Sequence, residues 1–186
     1  MKFDKINLGI DDPWIISDTH FFHENIIKYC DRPFKDVEEM NETMVTNWNN
    51  LVKPDDWIIH LGDVSFGRIE RSLEILSRLN GNKVLIAGNH DWGKHMKSYN
   101  EQGTFQQIYK GEGFEFQGKI LSHKPIIPAH LGDGFNIHGH LHNNVLGSSM
   151  KDMKKHKYNL KRYVNISVEN YNYSPIKFQD INAKHQ

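Results

Sequence analysis

Five short pieces of the chain carry residue types that hydrolytic metal chemistry needs: Asp18-Thr19-His20, Gly62-Asp63, Gly88-Asn89-His90-Asp91, Ser122-His123 and Gly139-His140-Leu141-His142. Together they offer seven potential metal ligands and one spare histidine. Imidazole and carboxylate donors suit Mn²⁺, Fe, Zn²⁺, Ni²⁺ or Co²⁺, whereas a calcium site would use oxygen donors and few histidines. Two such ions roughly 3.5 to 4 Å apart position a hydroxide for in-line attack and stabilise the charge that develops on the substrate. Within Asp18-Thr19-His20, an extended backbone would put residues i and i+2 on one side, where both could grip one ion. His140 and His142 share that spacing, although a looser loop there would equally direct them at two neighbouring ions.

Each piece directly follows a short apolar run. Trp14-Ile15-Ile16-Ser17 precedes Asp18, Trp57 to Leu61 precedes Gly62-Asp63, and Val84 to Ala87 precedes Gly88. Lys119 to Ser122 leads into His123, and Phe135 to His138 into Gly139-His140. Such runs read as buried strands, and in open α/β sheets ligands gather beyond the carboxyl ends of strands. Five loops carrying Asp, Asn and His would then converge on one edge. Between the first two strands, Val37, Met40, Met44, Trp48 and Leu51 recur at helical spacing, with Asp36 as N-cap and Glu39 completing a capping box. A second helix is expected through Ile69, Leu73, Leu76 and Leu79, terminated by Gly81. Further on, Phe114 and Phe116 alternate ahead of a Gln117-Gly118 turn, Val164, Ile166 and Val168 alternate again, and Ile176 to Phe178 could close a sheet. Strands alternating with helices imply an α/β class. From Lys151 to Arg162 the chain turns basic, which reads as a solvated insertion.

The 186 residues suit a single domain spanning 1–186. Lys+Arg and Asp+Glu are equal at 23 each, so the formal net charge is zero and the chain as a whole offers no polycationic surface; nucleic acid or an anionic membrane would have to be held locally. Cys30 stands alone, which excludes an intrachain disulfide and reads as a small buried residue. No apolar stretch resembles a signal peptide or a bilayer span. A cytoplasmic protein without a membrane partner is the expectation.

Taken singly, an Asp-x-His or a Gly-Asp is ordinary loop composition. In this order, D-x-H, G-D, G-N-H-D, a lone H and G-H-x-H strongly resemble the signature of the calcineurin-like metallophosphoesterase superfamily. The likeness runs over nearly the whole chain and looks closest to its small bacterial and phage phosphoesterases, in Ser17 to His23, Asn25 to Phe34 and His60 to Gly67. What the resemblance implies is a four-layer α/β/β/α sandwich with two mixed β-sheets and two bound divalent metal ions, Mn²⁺ first among them. Asp18, His20 and His142 would hold one ion, Asn89, His123 and His140 the other, with Asp63 bridging and His90 as catalytic acid. The neutral amide of Asn89 would complete coordination without cancelling the positive field that lowers the pKa of water. The implied reaction is hydrolysis of a nucleotide or other small phosphodiester by a metal-bridging hydroxide. His23, Asn25 and Arg32 follow the first ligand motif closely and resemble positions that recur in the small subgroup, so they stand as candidate substrate contacts. Arg32 leads, because a guanidinium matches phosphate bidentately. His60 and His138 lie inside apolar strands and read as supporting or core histidines.

Protein serine/threonine phosphatases carry G-D-x-x-D-R-G where this chain has Gly62-Asp63-Val64-Ser65-Phe66-Gly67. The missing Asp and Arg argue against a phosphoprotein substrate and leave the partner of His90 open. Asn165 to Glu169 resembles a closing N-V-G-V-D/E stretch of the small subgroup, with Ser167 in place of the glycine, and receives no catalytic role. Three other readings stay open: a phosphomonoesterase on the same site, a mononuclear iron oxygenase built on Asp18, His20 and His142, and a metal-stabilised phosphate-binding module without turnover. Nuclease action has no support from net charge, and the oligomeric state is not legible.

Overall fold

In the computed structural model, residues 1–146 and 158–183 are described. Among them, ten strands form two five-stranded sheets. The first has the order β10-β2-β3-β4-β5, from β2 (Trp14–Ile16), β3 (Trp57–His60), β4 (Asn82–Ile86) and β5 (Gln107–Tyr109), all parallel, with β10 (Ile176–Lys177) antiparallel at the edge. The second has the order β1-β6-β7-β8-β9. Here β7 (Lys119–Ser122), β8 (Asn136–His138) and β9 (Tyr163–Asn165) run parallel. The strand β6 (Phe114–Phe116) is antiparallel to β7, and β1 (Asp4–Lys5) parallel to β6. Gln117 and Gly118 both take positive φ in the β6–β7 turn, the backbone that suits a two-residue hairpin.

The two-residue period of the strands explains the layers. Ile15, Ile59 and Val84 meet Phe116, Leu121 and Ile137 between the sheets. Their neighbours Ile16, Ile58 and Leu85 face the other way, onto Met40, Met44 and Trp48 of α2 (Val37–Leu51) and Ile75 and Leu76 of α3 (Ile69–Ser77). The same layer takes Ile26 of α1 (Glu24–Tyr29) and Met96 and Tyr99 of α4 (Lys94–Glu101). On the far side, Ile120 and Tyr163 pack against Ile126 and Leu131, the latter in α5 (Pro128–Leu131). The expected helix–sheet–sheet–helix layering is therefore present, with its last layer reduced to a single turn. After β10, α6 (Phe178–Ala183) sends Phe178 and Ile181 into the inter-sheet core.

Several local expectations change. The helix α3 ends at Ser77 with Arg78 as cap, so Gly81 lies in the turn into β4 rather than terminating the helix. Asp36 does cap α2, its Oδ1 accepting the Glu39 N–H at 2.8 Å, but Glu39 reaches back to the Lys35 N–H instead of that of Asp36. Leu51, counted with the apolar stripe, ends up 38% exposed because the helix has run past the core. The alternation of Val164, Ile166 and Val168 outlasts its strand, since β9 stops at Asn165 and Val168 opens a 3-10 turn. In the basic segment, residues 151–157 lie outside the described ones. Its last residue, Arg162, is not simply solvated, for its guanidinium donates to the carbonyls of Gly132 and Gly134. Among the described residues, no helix is long and apolar enough to cross a membrane.

Asp36→Ala should cost about 1 kcal/mol of stability through the lost cap. The check is a denaturant midpoint that falls with an unchanged slope; an unchanged midpoint would show that α2 gains nothing from the cap.

Candidate metal centre

All five ligand-bearing pieces stand just past the carboxyl ends of β2, β3, β4, β7 and β8. The two sheets are joined at that edge by Val168 N–H, which donates to Ser17 O at 3.1 Å, and by His140 N–H, which donates to Asp18 Oδ2 at 2.9 Å. Within each sheet, Asp18 N–H donates to Gly62 O at 3.0 Å and Gly139 N–H to His123 O at 2.9 Å. The loops turn abruptly here: Asp18, His20, Asp63, His140 and His142 all have positive φ. Left-handed backbone is uncommon outside glycine and collects at functional sites, where surrounding structure holds it. It also corrects the reason given for Asp18 and His20 sharing a side. Their backbone is not extended, and positive φ at Asp18 and again at His20, on either side of Thr19, brings them together instead.

One ligand atom each from Asp18, His20 and His142 lies within 4.8 Å of the others, and the same holds for Asp63, His123 and His140. His140 and His142 thus belong to different groups. Asn89 joins the second, with Oδ1 3.0 Å from His123 Nε2, while His140 Nδ1 approaches the same nitrogen at 3.2 Å. Asp63 Oδ2 stands between the groups, 3.5 Å from His20 Nε2 and 3.4 Å from His123 Nε2.

The donor set fits divalent cations. Asp18 Oδ1 and His20 Nε2 are buried without a hydrogen-bond partner, a condition that protein interiors seldom leave unexplained. Burial holds His20 well below the ordinary histidine range. Burial and the neighbouring His123 take His140 down to about 4, so both rings are neutral and can offer a lone pair. Burial would raise Asp63, yet His123, His20 and the His90 N–H together hold it below the usual carboxylate range. Asp18 is pushed up by its burial. For His142, burial is outweighed by hydrogen bonds with Cys30 and Glu169 and by the charge of Asp18, which push it up to about 10.

Behind these groups lies a second set of contacts that fixes their orientation. Glu169 Oε1 sits 2.9 Å from His142 Nδ1, so a proton there leaves Nε2 for an ion. His123 Nδ1 meets Leu61 O at 2.8 Å in the same way. Asp91 is 1% exposed and accepts three backbone N–H bonds, from Asp63, Val64 and Gly88, at 2.7 to 3.0 Å. Ser167 Oγ donates to Asp18 Oδ2 at 2.9 Å. A Cβ on Gly139 would collide with Ser17 Oγ and Asp18 Oδ2, and one on Gly88 with Asp63. His60 and His138 are buried supports, His60 Nε2 lying 3.0 Å from Thr19 Oγ1 and His138 Nδ1 2.9 Å from Gly139 O. Sequence reasoning assigned no role to Asp91, Glu169 or Ser167. The usable signals were the fourth letter of Gly88-Asn89-His90-Asp91 and the family-like stretch ending in Glu169.

Arg32 requires correction. It is 4% exposed and donates from Nε and Nη2 to Glu169 Oε1 at 3.0 and 2.7 Å, from Nη2 to Asp18 O at 2.8 Å and from Nη1 to Thr19 O at 3.0 Å. With those donors committed to the protein, it positions ligands rather than meeting a phosphate. His23 does border the centre, its Nδ1 3.3 Å from His20 Nδ1 and its ring stacked on Phe66 at 4.1 Å. Asn25 is exposed on α1 and makes no hydrogen bond to the cluster. The ring of His90 is 42% exposed, with Nε2 4.0 Å from Asp63 Oδ2 and its edge against Phe66. Among the described residues, no other carboxylate takes the place of the aspartate missing from the second motif.

The buried Arg32–Glu169 pair makes a testable distinction. Arg32→Ala should destabilise by about 3–5 kcal/mol, because Glu169 is left as an uncompensated buried charge, and Glu169→Gln should weaken metal binding roughly 10- to 100-fold. Thermal unfolding and metal titration read both. An Arg32→Ala protein of normal stability and metal affinity but raised KM would restore the phosphate contact.

Comparison with known proteins agrees with this geometry. A family profile described as calcineurin-like phosphoesterase matches residues 13–179. An uncharacterized protein of Methanocaldococcus jannaschii is 41% identical over 166 residues, which are 88% of this chain and 85% of the relative. The gene 66 protein of Mycobacterium phage L5 is 25% identical over 168 residues, 74% of this chain and 80% of its own. The crystal structure of a protein of unknown function from Aquifex aeolicus superposes with a TM-score of 0.69 at 30% identity, covering 93% of this chain and 98% of that one. With its strand-end carboxylates and imidazoles gathered into facing groups, the chain belongs to the calcineurin-like phosphoesterase family.

Proposed function

We propose that the protein is a metal-dependent phosphodiesterase acting on a nucleotide or another small phosphodiester through a pair of divalent cations, Mn²⁺ being the expected ion. The observation that carries this reading is the position of Asp63 Oδ2, within 3.5 Å of a histidine from each ligand group. Asp18, His20 and His142 would hold one ion, Asn89, His123 and His140 the other, and Asp63 both. When bound, such ions lower the pKa of water and draw off charge from phosphoryl oxygens. His90, at the mouth of the centre, is free to protonate a leaving alkoxide.

Two substituents on the phosphate would need room on both sides of it, and exposed aromatic side chains flank each of the two ligand groups. Tyr29 is 73% and Phe66 48% exposed beside His23, and Trp92 is 58% exposed beyond Asn89. A monoester would use one side alone. A mononuclear iron oxygenase on Asp18, His20 and His142 leaves Asn89, His123 and His140 without purpose, and a silent phosphate-binding module leaves His90 without one. A formal net charge of zero favours a small substrate over a long nucleic acid, and a cytoplasmic location fits the single cysteine.

A screen of metals against bis(p-nitrophenyl) phosphate, p-nitrophenyl phosphate, dinucleotides and cyclic nucleotides tests the reading. The diesters should turn over faster than the monoester with Mn²⁺, at two ions per chain; equal or greater monoesterase activity would defeat the diesterase assignment, and one ion per chain the paired centre. His90→Ala should lower kcat by 10²- to 10⁴-fold on a dinucleotide, whose alkoxide needs a proton, and much less on a p-nitrophenyl ester. Equal losses on the two substrates would remove His90 as the acid.

A further inference from the structure

A cavity of about 560 Å³ opens beside Asn89 and His123, within the ~300–1,000 Å³ common for small-molecule sites. Its wall is chemically divided. Trp92, Pro125 and Ile127 supply an apolar lining, while Lys124 and Glu112 supply one charge of each sign. Trp92 is 58% exposed although it directly follows Asp91, which is 1% exposed. An indole held at the rim by a rigid neighbour is a stacking surface without a ring partner among the described residues. Lys124 directly follows His123 of the second ligand group, is exposed and makes no ion pair among the described residues.

We propose that this cavity is the nucleoside subsite of the phosphoesterase centre, with Trp92 stacking the base and Lys124 contacting a phosphoryl oxygen. The placement rests on the phosphoesterase reading for the position of the phosphate, but not for the base. Asn89 and His123 line the cavity and also belong to the second ligand group, so a phosphoryl group held there would carry its substituent straight into it. Glu112, 3.6 Å from His130 through Oε2, disfavours a second phosphate and selects an uncharged continuation. A flat heteroaromatic ring satisfies the indole face, the prolyl and isoleucyl surface and that charge constraint together. Lys124 also takes up the task expected of Arg32, from a position where its ammonium has no ion-pair partner among the described residues.

Calorimetric titration of the metal-loaded protein with AMP and with ribose 5-phosphate, which lacks the base, separates the contributions. Wild-type protein should bind AMP at least tenfold more tightly. Trp92→Ala should collapse that ratio towards one and Trp92→Phe should retain most of it, while Lys124→Ala should weaken both ligands alike. Equal binding of the two ligands by wild type, or a ratio unchanged in Trp92→Ala, would overturn the subsite. Because the readout is binding, the base preference can stand or fall even if no ester is hydrolysed, which would sink only the phosphoesterase reading. Circular dichroism of each variant confirms folding, and Trp92, being exposed, is not needed for the core.

Discussion

Asp63 is the residue through which the other pieces of the centre are set. Its N–H goes to Asp91, its carbonyl accepts the His20 N–H at 3.1 Å, its Oδ1 accepts the His90 N–H at 2.9 Å, and its Oδ2 faces His20 and His123. Four of the five sequence motifs therefore meet on one residue. Gly88 lies so close that it admits no side chain there, and Asp91 binds the backbone of both loops. Once these contacts close, Asp63 Oδ2 has little freedom. A carboxylate that faces histidines of two ligand groups keeps its place through these contacts alone, before any ion is bound.

The second constraint is charge. Asp18 and Asp63 are buried among two kinds of ring: burial keeps His20 and His140 neutral, whereas the carboxylates push His123 and His142 up. Arg32 and Glu169 form a pair deep behind them, and the pair reads out through Glu169 onto His142 and through Arg32 onto the carbonyls of Asp18 and Thr19. One guanidinium thus stiffens the backbone of the first motif and the side chain of the fifth. Glu169 Oε2 and Asp18 Oδ1 remain without hydrogen bonds, so the protein alone does not complete this network. Unmatched lone pairs of this kind are expensive in an interior, and their persistence beside two ligand groups is what a cation would relieve.

The sequence disclosed the chemistry of the centre more readily than its mechanics. Strand runs ahead of Asp18, Asp63, Asn89, His123 and His140 were legible because buried parallel strands are apolar throughout, and the ligands follow them by one to three residues. The division of His140 and His142 between groups was left open, because i, i+2 spacing specifies a side only when the backbone is known, and here it is left-handed. Arg32 was misread for a related reason. A guanidinium near a phosphate site in sequence has the same chemistry whether it faces substrate or a buried carboxylate, and only its burial beside Glu169 distinguishes them. Gly81 suited a helix end by type, but α3 had already stopped, and turn and cap positions share the same preference. Asp91 and Glu169 were hardest to see, since a carboxylate that binds only N–H groups or another side chain leaves no spacing rule behind.

The placement of ligands across the two sheets gives metal binding a structural consequence. The first group takes Asp18 and His20 from the end of β2 and His142 from beyond β8; the second takes Asp63 from the end of β3 and His123 and His140 from the ends of β7 and β8. Each group therefore spans both sheets, and an ion in either one pulls together surfaces that otherwise meet through the inter-sheet core of Ile15, Ile59, Val84, Leu121 and Ile137. That apolar packing sets the separation of the sheets, and the separation sets the distance between ligands. Binding energy and fold stability are consequently coupled, because a cation that requires both walls favours the folded state over any state in which they part. The geometry of the centre is thus determined as much by aliphatic residues that touch no substrate as by the histidines that would touch the ions.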